Sequence, residues 1–135
     1  MHYLLDTNIV SELSKRTPNP GVLSWFEAIE DTDLFLSVIT LGEIRKGIEH
    51  KRRTDPGRAL RLERTLQTIR TDYRGRIVPV SEEVAEEWGR MCVVYPNHSV
   101  DNLLSATAKI HGMTLVTRNL RDVAMHAIAS LNPFM

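Results

Sequence analysis

Cysteine is almost absent from the chain: Cys92 stands alone, so no internal disulfide can form. A single thiol suits a reducing compartment. Long apolar runs are missing too, with nothing near the roughly 18 residues of a membrane span. The N-terminal apolar stretch stops at Asp6, too soon for the apolar core of a secretory signal. A cytoplasmic protein without membrane attachment is the expectation. Aromatic residues make up only 6% of the chain, and Trp25 and Trp88 fall on apolar helix faces, where they read as core and not as stacking platforms. No Gly-x-Ser-x-Gly elbow, Walker A loop or dinucleotide glycine pattern occurs, which removes the usual routes to serine-nucleophile and nucleotide-cradling chemistry. The five histidines lack metal-ligand spacing, and Cys92 has no obvious base beside it. An excess of either charge is also missing, since 17 Lys and Arg against 17 Asp and Glu leave a formal net charge of zero. That balance speaks against a globally cationic nucleic-acid binder and against an acidic, disordered tail.

What is present is an ordinary globular composition, 42% hydrophobic and 25% charged. The length of 135 residues fits a single domain over residues 1–135. Such a domain buries roughly two thirds of its unfolded surface, so it needs neither metal nor disulfide to fold. The charges are unevenly placed. Between Arg45 and Arg76 lie eleven of the basic residues against four acids, about +7, so the rest of the chain carries about −7. The first 44 residues hold seven acids and two bases. The basic run is either a solvated face or a rim beside an acidic pocket, which would suit a polyanion processed with the help of a metal.

Short apolar runs alternate with helical patterns. Residues 2–5 read as a buried strand ending on Asp6, and residues 7–13 as a helix closed by Pro18-Asn19-Pro20-Gly21. A second helix runs to about residue 30, with Val22, Trp25, Phe26 and Ile29 on one face. Residues 34–37 form a second strand. Thr40-Leu41-Gly42-Glu43 matches a capping box opening a helix to about residue 51. Residues 56–72 are helical, with Leu62, Leu66 and Ile69 as the apolar stripe and Arg58, Arg61 and Arg64 toward solvent. Residues 77–80 are a third strand, and Ser81 caps a helix to about residue 92. Ser99 caps a helix over residues 100–111 that Gly112 ends. A fourth strand covers 113–116, a loop or single helical turn 118–122, and a short edge strand falls within 129–134. This alternation indicates α/β, with a parallel sheet covered on both faces.

In such sheets ligands gather at the carboxyl ends of the strands. Asp6 ends strand one, Glu43 follows strand two, Asp101 opens the helix before strand four, and Asp122 follows strand four. The four acids can therefore converge at one edge. Two carboxylates about 4 Å apart repel by about 4 kcal/mol at an effective dielectric near 20, so a cluster of them holds protons or binds a cation. Oxygen-only ligands suit Mg²⁺ or Mn²⁺ and not zinc. Each acid also has a plainer reading: Asp6 as a helix cap, Glu43 as the capping-box partner of Thr40, Asp101 as a helix-dipole complement, and Asp122 as a surface acid.

Four stretches then resemble one family. Leu4-Leu5-Asp6-Thr7-Asn8-Ile9-Val10-Ser11-Glu12-Leu13 is similar to the first motif of PIN-domain ribonuclease toxins of the VapC type. The stretch from Ser37 to Gly47 resembles their second motif, Asp101-Asn102-Leu103-Leu104-Ser105-Ala106-Thr107-Ala108 the third, and Leu115-Val116-Thr117-Arg118-Asn119 the fourth. The closing Leu131-Asn132-Pro133-Phe134 also recurs in such proteins, and the motifs span the chain in the family's order. The resemblance implies a PIN-like three-layer α/β/α sandwich with a short parallel sheet of four or five strands. It implies a Mg²⁺-dependent endoribonuclease, with Mn²⁺ as a substitute, restrained by a cognate antitoxin. A homodimer and a higher-order toxin–antitoxin complex are implied as well. Asp6, Glu43 and Asp101 fall on the family's acidic positions and inherit the catalytic and metal-binding roles. The fourth motif departs from one common pattern, having Asn119 where many relatives have Asp, and Asp122 is carried over as the fourth acid. Asn8, Thr117 and Asn119 look like residues that orient the carboxylates or water, and Arg58, Arg61 and Arg64 are candidates to grip RNA or an acidic partner.

Two other classes fit less well. A phosphoacceptor domain would pair acids after strand one and place a lysine at the sheet edge, but Asp6 has no acidic neighbour and Lys109 lies inside a helix. A non-catalytic PIN-like RNA-binding or regulatory module with a vestigial metal site is the alternative that Asn119 keeps open.

Overall fold

The computed structural model describes residues 1–135. Five short strands, β1 (Tyr3–Leu5), β2 (Leu34–Ser37), β3 (Ile77–Val78), β4 (Thr114–Val116) and β5 (Ser130–Leu131), form one sheet in the order β3-β2-β1-β4-β5, all parallel. β1 is central, with Tyr3 beside both Leu34 and Thr114. Seven helices connect and cover the strands: α1 (Thr7–Leu13), α2 (Pro20–Ala28), α3 (Val38–Thr54), α4 (Pro56–Asp72), α5 (Glu82–Val94), α6 (Ser99–His111) and α7 (Leu120–Ala124).

The period of two along each strand sorts the core into layers. Leu5, Leu34, Leu36 and Val116 pack with Ile9, Val10, Val22 and Ile69 on one face, contributed by α1, α2 and α4. Leu4 and Leu115, together with Val78, pack on the other face with Leu104, Ala108 and Val123 of α6 and α7. The result is the three-layer α/β/α sandwich expected, with a five-stranded sheet. Two helical pairs carry smaller cores of their own: Ile48, Ala59 and Leu66 between α3 and α4, and Val84, Met91 and Ala106 between α5 and α6.

Strand β2, helices α1 and α4, and the Ser81 cap of α5, whose hydroxyl accepts from the Val84 amide, fall where the pattern puts them. Gly112 ends α6 at φ +64°, the left-handed conformation glycine adopts at least cost. Several boundaries differ. α3 opens at Val38, capped by Ser37, whose hydroxyl accepts from the Ile39 amide. Thr40 therefore lies inside the helix and no Thr40–Glu43 capping box exists. α3 runs on to Thr54 and stops because Asp55 precedes Pro56, a position that disfavours helical backbone. α2 stops at Ala28, where Ile29 turns extended and packs on the core. β3 has only two residues, since Pro79 lacks the amide a ladder needs. α6 begins at Ser99, one residue before the expected start, with His98 in the capping position and making no side-chain cap.

Candidate metal centre

Asp6 is the residue after β1, so the central strand delivers its carboxylate to the carboxyl edge of the sheet. It is buried, 8% exposed, and its side chain does not cap α1. Instead Asp6 Oδ2 accepts the Thr117 hydroxyl at 2.7 Å and the Asn8 side-chain amide at 3.2 Å. Thr117 and Asn8 are in turn braced: Asn8 Oδ1 accepts from the Arg118 amide at 3.3 Å, and Thr117 Oγ1 accepts from the Asn119 amide at 3.1 Å. The C-terminal tail supports the same corner, with Asn132 donating to the Arg118 carbonyl and the Arg118 guanidinium over the Phe134 ring at 4.7 Å.

Asp6, Asp101 and Asp122 line one narrow cleft, with room for about one water-sized ligand, together with Ser105, Leu115, Thr117, Asn119 and Val123. Three of the four acids singled out in the sequence are thus brought together. Glu43 does not line the cleft, but its charge is felt by Asp101. It projects from within α3, and its Oε1 accepts the Thr7 hydroxyl, which also contacts Thr40 Oγ1 at 3.2 Å. Arg58, Arg61 and Arg64 are exposed on α4, and none of them lines the acidic cleft. Arg58 instead borders a groove of about 300 Å³ between α1, α3 and α4.

The electrostatics are those of a site short of positive charge. Burial pushes the Asp6 carboxyl above the usual range; the Thr117 hydroxyl opposes this, and the Asp101 charge adds to it. Burial also raises Asp101, followed by the repulsion of Asp122, with His98 working in the opposite direction. No lysine or arginine forms an ion pair with Asp6, Asp101 or Asp122.

Two neighbours were not legible in the sequence. His98 Nδ1 lies 3.7 Å from Asp101 Oδ2, and one ligand atom each from His98, Asp101 and Asp122 falls within a mutual 4.8 Å. In the sequence the five histidines show no metal-ligand spacing, so nothing there points to His98, itself part-exposed, beside Asp101 and Asp122. Tyr95 donates its hydroxyl to Asp122 Oδ1 at 2.7 Å and stacks on His98 at 3.9 Å and 11°. The hydrogen bond to Asp122 raises the Tyr95 phenol. No local pattern announces Tyr95, because the contact spans 27 residues.

The family profile for the PIN domain matches residues 3–128. The toxin FitB of Neisseria gonorrhoeae is 32% identical over 136 residues, covering 97% of each chain. The VapC ribonuclease Y4jK of Sinorhizobium fredii is 29% identical over 140 residues, covering 97% of this chain and 96% of its own. The crystal structure of FitAcB from Neisseria gonorrhoeae superposes with a TM-score of 0.84 at 32% identity, covering 97% of each chain. With the acidic cleft at the carboxyl edge of a parallel sheet and a profile match along nearly its whole length, the chain belongs to the PIN-domain family.

Proposed function

We propose that this chain is a metal-dependent endoribonuclease, the toxin of a type II toxin–antitoxin pair, acting as one PIN domain over residues 1–135 in the cytoplasm. The observation that carries this reading is the convergence of Asp6, Asp101 and Asp122 on one cleft with no lysine or arginine paired to them. The names of the relatives support it: one is a toxin and another a ribonuclease.

The donor set fits a hard divalent cation, since carboxylate oxygens dominate it and Asp6 is costly to ionise without one. Asp6, Asp101 and Asp122 would hold Mg²⁺ or Mn²⁺, with Glu43 completing the charge. When bound, such an ion polarises a phosphate oxygen and lowers the pKa of water. The protein's own part is positional. Thr117 and Asn8 fix the Asp6 carboxylate, Thr7 fixes Glu43, and Tyr95 fixes Asp122. Asn119 lines the cleft, and in this reading it orients water. Arg58, Arg61 and Arg64 offer charge to an RNA backbone or to an acidic stretch of the cognate antitoxin. A homodimer and a larger toxin–antitoxin assembly belong to the same reading.

The test is RNA cleavage with Mg²⁺ by the wild type and by Asp6→Asn, with folding of the variant checked by circular dichroism. Cleavage is expected in the wild type and lost in the variant. Equal cleavage by both would remove Asp6 from the chemistry. Binding of RNA by the wild type without cleavage would favour the non-catalytic, vestigial reading.

A further inference from the structure

The turn from α5 to α6 brings a nitrogen donor to the acidic cleft. The chain leaves α5 at Val94, turns through Asn97 at φ +69°, and enters α6 at Ser99. Tyr95 and His98 lie on either side of that corner with their rings nearly parallel. Tyr95 is tied at both ends: its hydroxyl donates to Asp122, and its carbonyl accepts the Asn102 side-chain amide at 2.8 Å. Asn102 is itself buried and bonded to His126 Nε2 at 2.8 Å. A phenol held this way orients the imidazole stacked on it. His98 makes no hydrogen bond that would satisfy its Nδ1; the Asp101 oxygen at 3.7 Å is beyond hydrogen-bond length. Two ligands at about 2.1 Å from one ion lie about 3.0 Å apart when adjacent and about 4.2 Å when opposite; the 3.7 Å spacing falls between the two, so a movement of well under 1 Å brings both atoms onto one ion.

We propose that His98 contributes an imidazole nitrogen to the cation held by Asp101 and Asp122, and that this donor biases the centre toward Mn²⁺ over Mg²⁺. The proposal rests on the reading of the cleft as a metal centre. Its chemistry is direct: Mg²⁺ prefers oxygen ligands, whereas first-row transition cations gain more from imidazole, and the gain grows from Mn²⁺ toward the later metals. A site built from carboxylates alone would have no such preference beyond that of its oxygens. Here the side chains within a mutual 4.8 Å are two carboxylates and one histidine.

The experiment uses the full chain stripped of metal and reloaded with Mn²⁺ alone or Mg²⁺ alone. Pulsed electron paramagnetic resonance of the Mn²⁺-loaded protein is expected to show coupling to an imidazole nitrogen that His98→Ala abolishes. Calorimetric titration is expected to show roughly a tenfold loss of Mn²⁺ affinity in His98→Ala, while Mg²⁺ affinity changes by less than about threefold. His98→Asp, which returns an oxygen donor, should restore affinity without the nitrogen coupling and with the lower Mn²⁺ preference of His98→Ala. Mn²⁺ bound to the wild type without nitrogen coupling, or an unchanged Mn²⁺/Mg²⁺ ratio in His98→Ala, overturns the proposal. Failure of the wild type to bind Mn²⁺ while Mg²⁺ binds overturns this inference alone, and failure to bind either overturns the metal-centre reading as well. RNA binding without cleavage by the Mn²⁺- or Mg²⁺-loaded wild type would overturn the nuclease assignment alone, leaving the His98 coupling to stand or fall on its own spectrum.

Discussion

Replacing Asp6 with Asn should stabilise the metal-free protein at neutral pH even as it removes activity. Asp6 is 8% exposed, receives only neutral donors, and shares its cleft with the like charges of Asp101 and Asp122. Carboxylates about 5 Å apart repel by roughly 1–3 kcal/mol between the dielectric of water and that of a protein surface. Asn keeps an oxygen to accept from Thr117 and Asn8, losing only the charge assistance of those bonds, about 1 kcal/mol. The net gain is about 1 kcal/mol, which for a chain of this size raises the melting temperature by roughly 2–5 °C. The pH dependence supplies an internal check. Folding raises the Asp6 pKa, so its contribution is fully present below the unfolded value and is lost as pH rises through the folded one. The advantage of Asp6→Asn should therefore be greatest near neutrality and close as the solution is acidified through the carboxylate range. Thermal unfolding in chelator from about pH 4 to about pH 8 measures it. A variant less stable than wild type at neutral pH, or a gap that does not change with pH, would refute the account of Asp6 as a strained charge awaiting a cation.

Three further outcomes follow from other parts of the molecule. Thr117→Val removes the 2.7 Å bond to Asp6 at nearly constant volume, and divalent-metal affinity measured by titration should fall roughly 10- to 100-fold. Converting Arg58, Arg61 and Arg64 together to Ala should reduce the slope of log affinity for single-stranded RNA against log salt by up to about 2; an unchanged slope would place the RNA path elsewhere. A Cβ at Gly21 would collide with the Met135 side chain and the Pro133 carbonyl, so Gly21→Ala should cost about 1–3 kcal/mol. It should also loosen the tail that Asn19 holds through Met135, seen as faster trimming by carboxypeptidase.

The parts of the fold that were legible are those specified by neighbours in sequence. Leu34-Phe35-Leu36-Ser37 is a short apolar run beside a turn, and it can only be a buried strand. Pro56 opens α4 and forbids α3 to continue through Asp55, so the break between two long helices was readable. The capping box at Thr40 failed for a reason equally local. Ser37 stands three residues earlier with the same hydroxyl, and the strand ends there, so Ser37 takes the cap and Thr40 turns toward Thr7. The acids were legible as a set because the topology of a parallel sheet fixes where strand ends lie, whatever their separation in sequence. His98 and Tyr95 were not, because their approach depends on one corner at Asn97 and on a contact with Asp122 that no periodicity encodes.

The zero net charge conceals an imbalance that the fold keeps apart. On the helical pair α3 and α4, Arg45 and Arg52 are answered by Glu49 and Glu63, and Arg76 is spent on the carbonyls of Asp31, Leu34 and Asp72. Three of the eleven basic residues between Arg45 and Arg76 are therefore engaged within the fold. On α4, Arg58, Arg61, Arg64 and Arg70 are all exposed and none of them forms an ion pair. Asp6, Asp101 and Asp122 pair with no lysine or arginine, and the only basic side chain beside them is the His98 imidazole, 3.7 Å from Asp101. A phosphate approaching that cleft meets like charge, and at about 5 Å each carboxylate repels it by roughly 1–3 kcal/mol. The arginines can attract an RNA chain, but they cannot seat its backbone against the acids. Only a cation in the cleft reverses the local sign, which is why the uncompensated carboxylates argue for metal and RNA together and for neither alone.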